Sequence, residues 1–549
     1  MTPPETGETA VRRPTLQAAL WLVVLGPLFF LSYGYANYYS STLPQVGSYV
    51  YGWEQGLPFW PWTILPYMSI DVFYAISLFI CTSRAELRTH ASRLLAATLV
   101  SVAFFLLFPL RFSFPRPATS GFNGWLFDLL TGFDLPFNQA PSLHISLLMI
   151  LWTCYARHAR GAWRWLLHGW FALIGISVLT TYQHHFIDVW TGAAVGILCL
   201  YLLPGAPWTL RFGRKKVGAA PVDVADDAAW PQRGAESGEV TLVQRDGDVD
   251  EVTPPQRGAE SGEVTLVQRD GDIDEVTPPQ RGAWVDEDLV RRRKLARRYG
   301  QACAIFLLFA VAAARADWVT ASLLLCWPAF SLMMVALAYA GQGERVFQKQ
   351  DGRMRWPARW ALAPYLLAAW VSSRLYTLRV PPYVEVYPGV WIGRAPSTLD
   401  LRRGGFTAVV DLAAEFPARP AALRLDYTQV SMLDLVVPTP MQLAAAAAAI
   451  SAACARATDQ TGADECADEG LDSGKSIGGG RLLVHCALGY SRSALAIAAW
   501  RALQGDDPEW VIEHLRSHRA IVISPSARQA VRAAAQREKF RDDDFQATP

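Results

Sequence analysis

Long apolar runs alternate with short polar connections over the first 205 residues. A helix needs about 20 mostly apolar residues to cross the hydrocarbon core of a bilayer. Apolar runs of roughly this length predict six membrane-spanning helices, at about residues 16–33, 63–82, 94–110, 142–156, 164–182 and 186–204. A cleaved signal peptide is the rival interpretation of the first run, but no small-x-small cleavage site clearly follows it. We therefore predict a retained transmembrane helix there.

Residues 217–299 are charged and rich in glycine and proline. A segment that starts at Pro231 recurs with near-identity at Pro255, and a third copy starts at Pro279, which gives a period of 24 residues. Stacked solenoid repeats are one interpretation. Each copy, however, has only Val-Thr-Leu-Val as an apolar stretch, which is too little to form a packed core. We predict a disordered cytoplasmic linker over residues 206–299.

A second block of apolar runs follows the linker. Runs at about 302–315 and 318–340 predict two further spans. The run at 361–376 is short and is interrupted by Pro364 and Arg374, so it either spans or lies in the membrane interface.

From about Pro382 the chain has the pattern of a soluble α/β domain. Residues 387–393 and 407–412 predict strands, and residues 439–455 and 493–504 predict helices.

The predicted fold is a polytopic α-helical membrane domain, with a six-helix core and two or three further helices, followed by an α/β domain. The predicted parts are a cytoplasmic tail over 1–15, a transmembrane domain over 16–205, the linker over 206–299, a second transmembrane block over 300–378 and the soluble domain over 382–540.

Composition and charge narrow the class of protein. The chain is 52% hydrophobic with 21 Trp and only 18% charged, which favours a lipid bilayer as its main partner. The net charge of +1 gives no reason to expect a nucleic-acid partner. Its eight cysteines show no CxxC or Cys/His spacing, so neither a disulfide framework nor a metal site is predicted.

Basic residues orient the predicted spans. They cluster at alternate connections, near residues 12–13, 84–93, 157–164 and 211–216, which the positive-inside rule places in the cytoplasm. The long connections 34–62 and 111–141 then face outward. Arg111 and Arg116 are exceptions on that side and need an explanation.

One loop in the C-terminal domain carries a recognisable chemistry. A strand-like run at 481–485 leads into Cys486, and an apolar helical run starts at Ser493, just after Arg492. A strand, a tight loop and a helix N-terminus form an anion-binding cradle, because unpaired backbone N–H groups point at one spot. A cysteine in such a cradle should be a thiolate at neutral pH. The arginine can bind two phosphate oxygens at once.

This loop resembles the signature loop of the cysteine-dependent phosphatases, H-C-x-x-G-x-x-R-[S/T], with His485, Cys486, Gly489, Arg492 and Ser493 in register. The resemblance implies that Cys486 is the nucleophile and forms a phosphocysteine without a metal or cofactor. It implies that Arg492 holds the equatorial phosphate oxygens and that Ser493 assists departure of the thiolate. The residues whose backbone would bind the phosphate are Ala487, Leu488, Gly489, Tyr490 and Ser491. A buried structural cysteine in a strand–helix unit is the alternative.

Such phosphatases need an acid that protonates the leaving oxygen. The segment 431–440 resembles the acid loop of dual-specificity phosphatases, which makes Asp434 the candidate. A turn or helix-start aspartate is the alternative role for it. Asp411 is the second candidate, although it lies at the end of a predicted buried strand. A polar, Gly-rich insertion at 457–480 explains the long separation between Asp434 and Cys486.

Polar clusters also lie at the outward ends of the predicted spans. They contain Arg116, Ser142, His144, His184 and Asp188. Ionisable groups at a membrane edge are costly unless they serve a function. Asp188 lies one helical turn after His184, where it could fix the imidazole tautomer. Helix-capping histidines without chemistry are the alternative.

This second constellation resembles the type 2 phosphatidic acid phosphatases, with the pattern K-x6-R-P, P-S-G-H and S-R-x5-H-x3-D. The resemblance implies that His184 is a nucleophile forming phosphohistidine, His144 the general acid, Asp188 the partner of His184, and Arg116 and Ser142 phosphate ligands. Three positions depart from the pattern: Pro109, Leu143 and Val178 replace a lysine, a glycine and an arginine. Arg111 could supply the missing cation. These departures are similar to the branch of inositol-phosphoceramide synthases, which transfer a phospho-headgroup.

The whole layout resembles a bacterial fusion of a type 2 phosphatidic-acid-phosphatase-like membrane domain with a dual-specificity phosphatase domain. The resemblance implies hydrolysis of phosphomonoesters at Cys486, on a phospholipid or lipid precursor, and a second lipid-phosphate phosphatase or phosphotransferase site at His184. The alternatives are a membrane-tethered protein tyrosine/serine/threonine phosphatase acting on a phosphoprotein, a headgroup transferase with a regulatory C-terminal domain, and a membrane sensor with a degenerate core. The expected location is the bacterial inner membrane, with the histidine site outward and the cysteine domain cytoplasmic.

Overall fold

The structure is a computed structural model that describes residues 13–205, 266–269, 272–275, 283–459 and 480–546. Most of the predicted linker, most of the insertion at 457–480 and Cys466 lie outside the described residues. The described chain is mostly helical, with several long apolar helices and one five-stranded sheet near the C-terminus.

Six helices form the first apolar block, and a short helix in the long connection at 111–141 accompanies them. A buried apolar cluster joins them, in which Leu94, Ile150 and Ile174 are almost fully buried. The helices are α1 (Thr15–Thr42), α2 (Ile64–Ile80), α3 (Arg84–Leu107), α4 (Gly121–Thr131), α5 (Leu143–His158), α6 (Ala162–Thr180) and α7 (Phe186–Leu202). Helix α3 starts at Arg84, earlier than the apolar run at 94–110 suggests, because Ser83 caps it by accepting a hydrogen bond from the Glu86 amide.

Length and composition mark six described helices as candidate spans. Four belong to the first block and two to the second. Helices α5 and α7 are shorter, with 16 and 17 residues, or about 25 Å of helix each. Glycines bring these two close together: a Cβ on Gly192 would lie 2.4 Å from the Ser142 carbonyl oxygen, and one on Gly196 would lie 2.8 Å from Cβ of Met149.

In the linker, two short strands, β1 (Leu266–Arg269) and β2 (Asp272–Glu275), pair antiparallel within the second repeat copy. A two-stranded ribbon is only marginally stable by itself.

The second apolar block starts earlier than predicted. Helix α8 runs over Ala283–Arg315, so residues 283–299, which the sequence pattern assigns to the linker, are helical. The charged residues that suggested linker are good helix formers, and they continue the apolar helix without a break. Helix α9 (Val319–Leu337) pairs with α8.

A short hairpin connects α9 with the next helices. Its strands are β3 (Lys349–Gln350) and β4 (Arg353–Met354), and α10 (Trp356–Ala361) and α11 (Ala363–Tyr376) follow it. The hairpin docks on the C-terminal domain: the Gly352 amide donates to Oε1 of Gln429, and the Gly352 carbonyl accepts from the Ala418 amide, both at 2.7 Å. The folded unit around the sheet therefore includes residues upstream of Pro382.

The C-terminal domain is built on a sheet with strand order β5-β6-β9-β7-β8. Strands β6, β9, β7 and β8 are parallel, and β5 is antiparallel to β6. Helices cover the sheet, and α14 is almost entirely buried between α13 and α16. The elements are β5 (Tyr383–Tyr387), β6 (Val390–Gly393), α12 (Thr398–Gly404), β7 (Ala408–Ala413), β8 (Asp426–Met432), α13 (Pro440–Asp459), β9 (Leu482–His485), α14 (Arg492–Leu503), α15 (Pro508–His518) and α16 (Pro525–Gln546).

Strand β9 occupies the centre of this sheet, and all of its residues are buried. Its carboxyl end, where Cys486 begins the loop to α14, lies between the carboxyl ends of β6 and β7. Ligands of open parallel sheets bind beyond the carboxyl ends of the strands. The topology thus places Cys486 at the edge where a ligand would bind.

Candidate active site

The loop after β9 wraps around the sulfur of Cys486. The Gly489 amide donates to Sγ at 3.2 Å, and the Ser493 hydroxyl oxygen lies 3.5 Å from it. Cys486 itself is 3% exposed. Among the described residues, the amides of Ala487, Leu488, Tyr490 and Ser491 donate to no protein acceptor.

Gly489 is required by the shape of the loop. Its φ is +77°, and a Cβ there would lie 2.5 Å from the backbone of Gly393. The loop therefore lies against the end of β6 at a distance that no side chain would allow.

Arg492 is the largest fully buried side chain described. Its Nη1 and Nη2 donate to the two carboxylate oxygens of Glu415 at 2.9 and 2.6 Å, and Nη1 also donates to the Met432 carbonyl. Its Nε is buried without a partner among the described residues. Burial would lower the pKa of Arg492, but the carboxylates of Asp434 and Glu415 outweigh burial and raise the pKa. The guanidinium is therefore a fixed positive charge.

The structure brings Asp434 to this site. Its Oδ1 lies 3.0 Å from Nη2 of Arg492, and its side chain is 32% exposed. The next residue, Leu435, has a φ of +62°, which non-glycine residues rarely adopt. A partly exposed carboxylate beside the buried arginine is placed to exchange protons with a group bound in the loop.

Asp411, the second candidate acid, lies in a different environment. It is buried and paired with Nζ of Lys349 at 2.8 Å, and the Tyr427 hydroxyl donates to it at 2.7 Å. Burial would raise the pKa of Asp411, but Lys349 and His485 outweigh burial and keep the pKa below its ordinary value. Asp411 is thus fully engaged, and of the two candidates Asp434 is the one that lies beside Arg492.

Sequence reasoning missed Glu415, Lys349 and Arg519. Arg519 supports the loop from its far side: Nε donates to the Gly489 carbonyl at 3.0 Å and Nη2 to the Leu488 carbonyl at 3.1 Å. All three residues are distant in sequence from Cys486. The sequence held only an indirect signal for Glu415: a buried Arg492 requires a carboxylate as its partner.

The histidine constellation in the first apolar block is partly assembled. Nδ1 of His184 lies 3.4 Å from Oδ2 of Asp188, and His184 and His144 line the same cavity. The His144 ring stacks on Tyr67, with 4.2 Å between the ring centroids, and its Nε2 is buried without a partner among the described residues.

The predicted phosphate ligands of this second site are placed less favourably. The Ser142 hydroxyl caps α5 by accepting from the Ile145 amide, and Arg111 is exposed. Neither Arg111 nor Arg116 lines the cavity. Arg116 instead lies over the Phe127 ring and donates to the Tyr182 carbonyl.

Two carboxylates that sequence reasoning missed, Asp71 and Asp134, line this cavity together with the histidines. Asp134 accepts hydrogen bonds from the Tyr33 hydroxyl and the Asn37 amide. Carboxylates and anions repel one another, so the cavity is a less favourable phosphate site than the loop at Cys486.

Several solved structures resemble the part of this chain that holds Cys486. "Crystal Structure of PTPMT1 in complex with PI(5)P" matches 30% of this chain and 99% of that chain, at 19% identity and a TM-score of 0.24. A mouse putative dual specificity phosphatase with zinc tungstate matches 30% of this chain and 91% of that chain, at 22% identity and a TM-score of 0.23. Human DUSP28 matches 29% of this chain and 96% of that chain, at 22% identity and a TM-score of 0.22.

No family model and no curated protein matches the chain. Identities and TM-scores as low as those of the solved structures carry no information about function. The chemistry has to be inferred from the geometry at Cys486 and at His184.

Proposed function

We propose that this protein is a membrane-anchored phosphatase that hydrolyses phosphomonoesters through a phosphocysteine at Cys486. One observation carries the proposal: a buried sulfur, backbone amides that donate to no acceptor among the described residues, a fixed arginine and a partly exposed carboxylate meet at one sheet edge. Each of these groups has a role in phosphoryl transfer from oxygen to sulfur and then to water.

The reaction proceeds in two balanced steps. Sγ of Cys486 attacks phosphorus and the ester P–O bond breaks, while Asp434 gives its proton to the departing oxygen. A water molecule then attacks phosphorus, Asp434 takes a proton from it, and the P–S bond breaks. The Ser493 hydroxyl, 3.5 Å from Sγ, stabilises the returning thiolate. Arg492 and the amides of 487–491 hold the phosphoryl oxygens throughout.

The proposed substrate is a phosphorylated lipid. Helix α11 is apolar, and Leu367 and Leu375 are 63% and 62% exposed along one groove. The end of this helix touches the catalytic loop: the Ser373 hydroxyl donates to the Ala487 carbonyl, and the Tyr490 hydroxyl donates to the Tyr376 carbonyl. A lipid held along α11 would have its headgroup at Cys486.

Cations beside the loop fit an anionic headgroup or membrane surface. Arg374 donates to the Ala395 carbonyl, and the Ala395 amide donates to the Ala487 carbonyl. Arg394 is close by, and both arginines lie within 4.0 Å of Asp400, which neutralises only part of their charge. Anionic lipids attract such clusters.

We place the C-terminal domain on the cytoplasmic side. Helix α11 has 14 residues, or about 21 Å of helix, which is shorter than the hydrocarbon core of about 30 Å. If α11 lies in the interface, α8 and α9 are the two spans of the second block. Two spans return the chain to the side of the membrane from which α8 starts. A C-terminal epitope should then be accessible to antibody only after the inner membrane is permeabilised, and accessibility in spheroplasts would contradict this placement.

The test uses purified full-length protein in vesicles. Substrates are phosphatidic acid, a monophosphorylated phosphatidylinositol, a soluble aryl phosphate and a phosphotyrosine peptide. We expect Cys486→Ser to abolish phosphate release, Asp434→Asn to reduce it by about 10²–10⁴-fold for poor leaving groups, and Cys454→Ser to leave it intact. Release that persists in Cys486→Ser would contradict the proposal.

Separate variants test the proposal that the substrate is a phosphorylated lipid. Leu367→Glu and Leu375→Glu should lower the rate on vesicle lipids while leaving hydrolysis of the aryl phosphate unchanged. Leu399→Glu, at a 52% exposed leucine of α12, is the matched control. Preferential turnover of the phosphotyrosine peptide would favour a protein phosphatase instead.

A second proposed activity belongs to the membrane domain. His184, which lies 3.4 Å from Asp188, lines one cavity with His144, whose Nε2 has no partner among the described residues, and this arrangement favours a histidine-based lipid-phosphate phosphatase or phosphotransferase. His184→Ala should remove any headgroup exchange between lipids, measured with a radiolabelled headgroup in vesicles. Exchange that requires neither His184 nor Asp188 would exclude this site.

A further inference from the structure

The acid loop of the C-terminal domain is held by residues from the second apolar block. The loop over 433–438 connects β8 to α13. The Tyr339 hydroxyl, just beyond α9, donates to the Asp434 carbonyl at 3.0 Å. Oδ1 of Asp288, in α8, accepts from the Val437 amide at 2.8 Å. Two residues of the apolar block thus bind the backbone of the loop on either side of Leu435.

Apolar packing ties the same loop to the same block. Leu433 and Val436 are 6% and 7% exposed, and they belong to a buried cluster with Val335, Ala338 and Tyr339 rather than to the core under the sheet. Burial of a leucine or valine stabilises by about 1.5–3 kcal/mol. The loop is therefore packed against the second apolar block through Leu433 and Val436, as well as against its own domain, whose core contains Val437.

Tyr339 is itself firmly positioned. Its ring stacks on Tyr299 of α8, with centroids 5.5 Å apart and planes 3° apart, and Tyr299 contacts Tyr365 of α11 edge-on. The chain then leaves the helical path at Gly341, whose φ is +140°. The position of the Tyr339 hydroxyl, which donates to the Asp434 carbonyl, thus depends on the relative positions of three helices of the second block.

We infer that Tyr339 and Asp288 are positioning residues that set the general acid Asp434 against the leaving group, so that the second apolar block controls the rate of hydrolysis. This inference rests on the proposed phosphatase activity at Cys486. Proton donation requires the acid within hydrogen-bond reach of the leaving oxygen, and a displacement of about 1 Å costs about 10²-fold. Both residues act through Asp434 and touch no reacting atom.

The test measures kcat and KM of the full-length protein for aryl phosphates that span a wide range of leaving-group pKa. Tyr339→Phe keeps the stacked ring and removes only the hydroxyl, and Asp288→Ala removes the oxygen that accepts from the Val437 amide. We expect each to lower kcat/KM about tenfold for poor leaving groups and less than twofold for good ones, because kcat/KM reports the step in which the leaving oxygen takes its proton. The controls are Tyr38→Phe and Asp128→Ala, at exposed positions of the first block.

A double-mutant cycle separates positioning from a merely structural role. In the Asp434→Asn background, Tyr339→Phe should have no further effect on kcat/KM, because the acid through which it acts is gone. An equal loss for all leaving groups, or a loss that persists in that background, would overturn the inference. Activity that survives Cys486→Ser would instead refute the proposed function, so the two failures are distinguishable.

Discussion

Glu415 holds the guanidinium of Arg492 by two parallel hydrogen bonds, at 2.9 and 2.6 Å, and both side chains are buried. This pair occupies the two terminal nitrogens, so the arginine meets a phosphoryl group in an orientation that Glu415 dictates. The sequence pattern predicted the arginine and its role, but a buried, fixed arginine also requires a buried carboxylate.

Glu415→Gln should weaken phosphate binding and lower the free energy of unfolding. Hydrogen bonds to charged groups contribute about 1.5–3 kcal/mol, which corresponds to about 10–150-fold in affinity. We expect the inhibition constant of inorganic phosphate to rise by that factor. Glu513→Gln, at an exposed glutamate of α15, is the matched control. An unchanged inhibition constant would show that Glu415 does not orient Arg492.

Lys349→Met should destabilise the C-terminal domain although Lys349 lies outside the predicted domain. Lys349 is 1% exposed and pairs with the equally buried Asp411. Removing one partner of a buried ion pair costs about 3–5 kcal/mol, because the other charge is left unpaired. Thermal or chemical unfolding followed by the fluorescence of the domain tryptophans measures the loss. The exposed Arg345→Met, in the same connection, should have little effect.

The stability of the C-terminal domain should fall as the pH drops below about 6.5. Burial lowers the pKa of His485, so the folded state resists a proton that the unfolded state binds with a pKa of about 6.5. The stabilisation is present above that pH and is lost as the pH falls toward the folded pKa. Asp411 adds a second loss below about pH 4, because its pKa is also lowered in the folded state. His485→Asn should flatten the upper part of this profile in urea titrations at pH 5 and 7, and an unchanged slope would contradict the assignment.

The two chemical sites should act independently. The His184 site lies at the start of α7, and the other end of that helix contacts the connection to the C-terminal domain, where Gln348 donates to the Tyr201 carbonyl. About 25 Å of helix therefore separates the His184 site from that connection. His184→Ala should leave aryl phosphate hydrolysis intact, and Cys486→Ser should leave headgroup exchange intact. Loss of one common activity in both variants would contradict two independent sites.

The site residues that the sequence could predict are those that lie close together along the chain. Cys486, Gly489, Arg492 and Ser493 lie within eight consecutive residues, so their spacing predicted that they lie close together. Glu415 is far from that loop, and only the fold brings it to Arg492. The boundary near 283 was missed for another reason: hydropathy detects the apolar part of α8 but not its charged N-terminal turns.

For the histidine site, the sequence predicted fewer of the surroundings that the structure contains. The spacing of His184 and Asp188 predicted that their side chains lie close together, and Nδ1 of His184 lies 3.4 Å from Oδ2 of Asp188. Arg111 and Ser142 were assigned from a pattern alone, and packing gives them other surroundings. Asp71 and Asp134 belong to no pattern, and they reach the cavity only because α2 and the connection after α4 pack beside α5.

Trapping of the phosphorylated enzyme tests the central claim most directly. The full-length protein in vesicles is mixed with a labelled aryl phosphate, quenched in acid within milliseconds, digested and analysed by mass spectrometry. The account predicts one phosphate on the peptide containing Cys486, absent in Cys486→Ser, and longer-lived in Asp434→Asn because the same carboxylate activates the water. Turnover without any phosphate on Cys486 would contradict it.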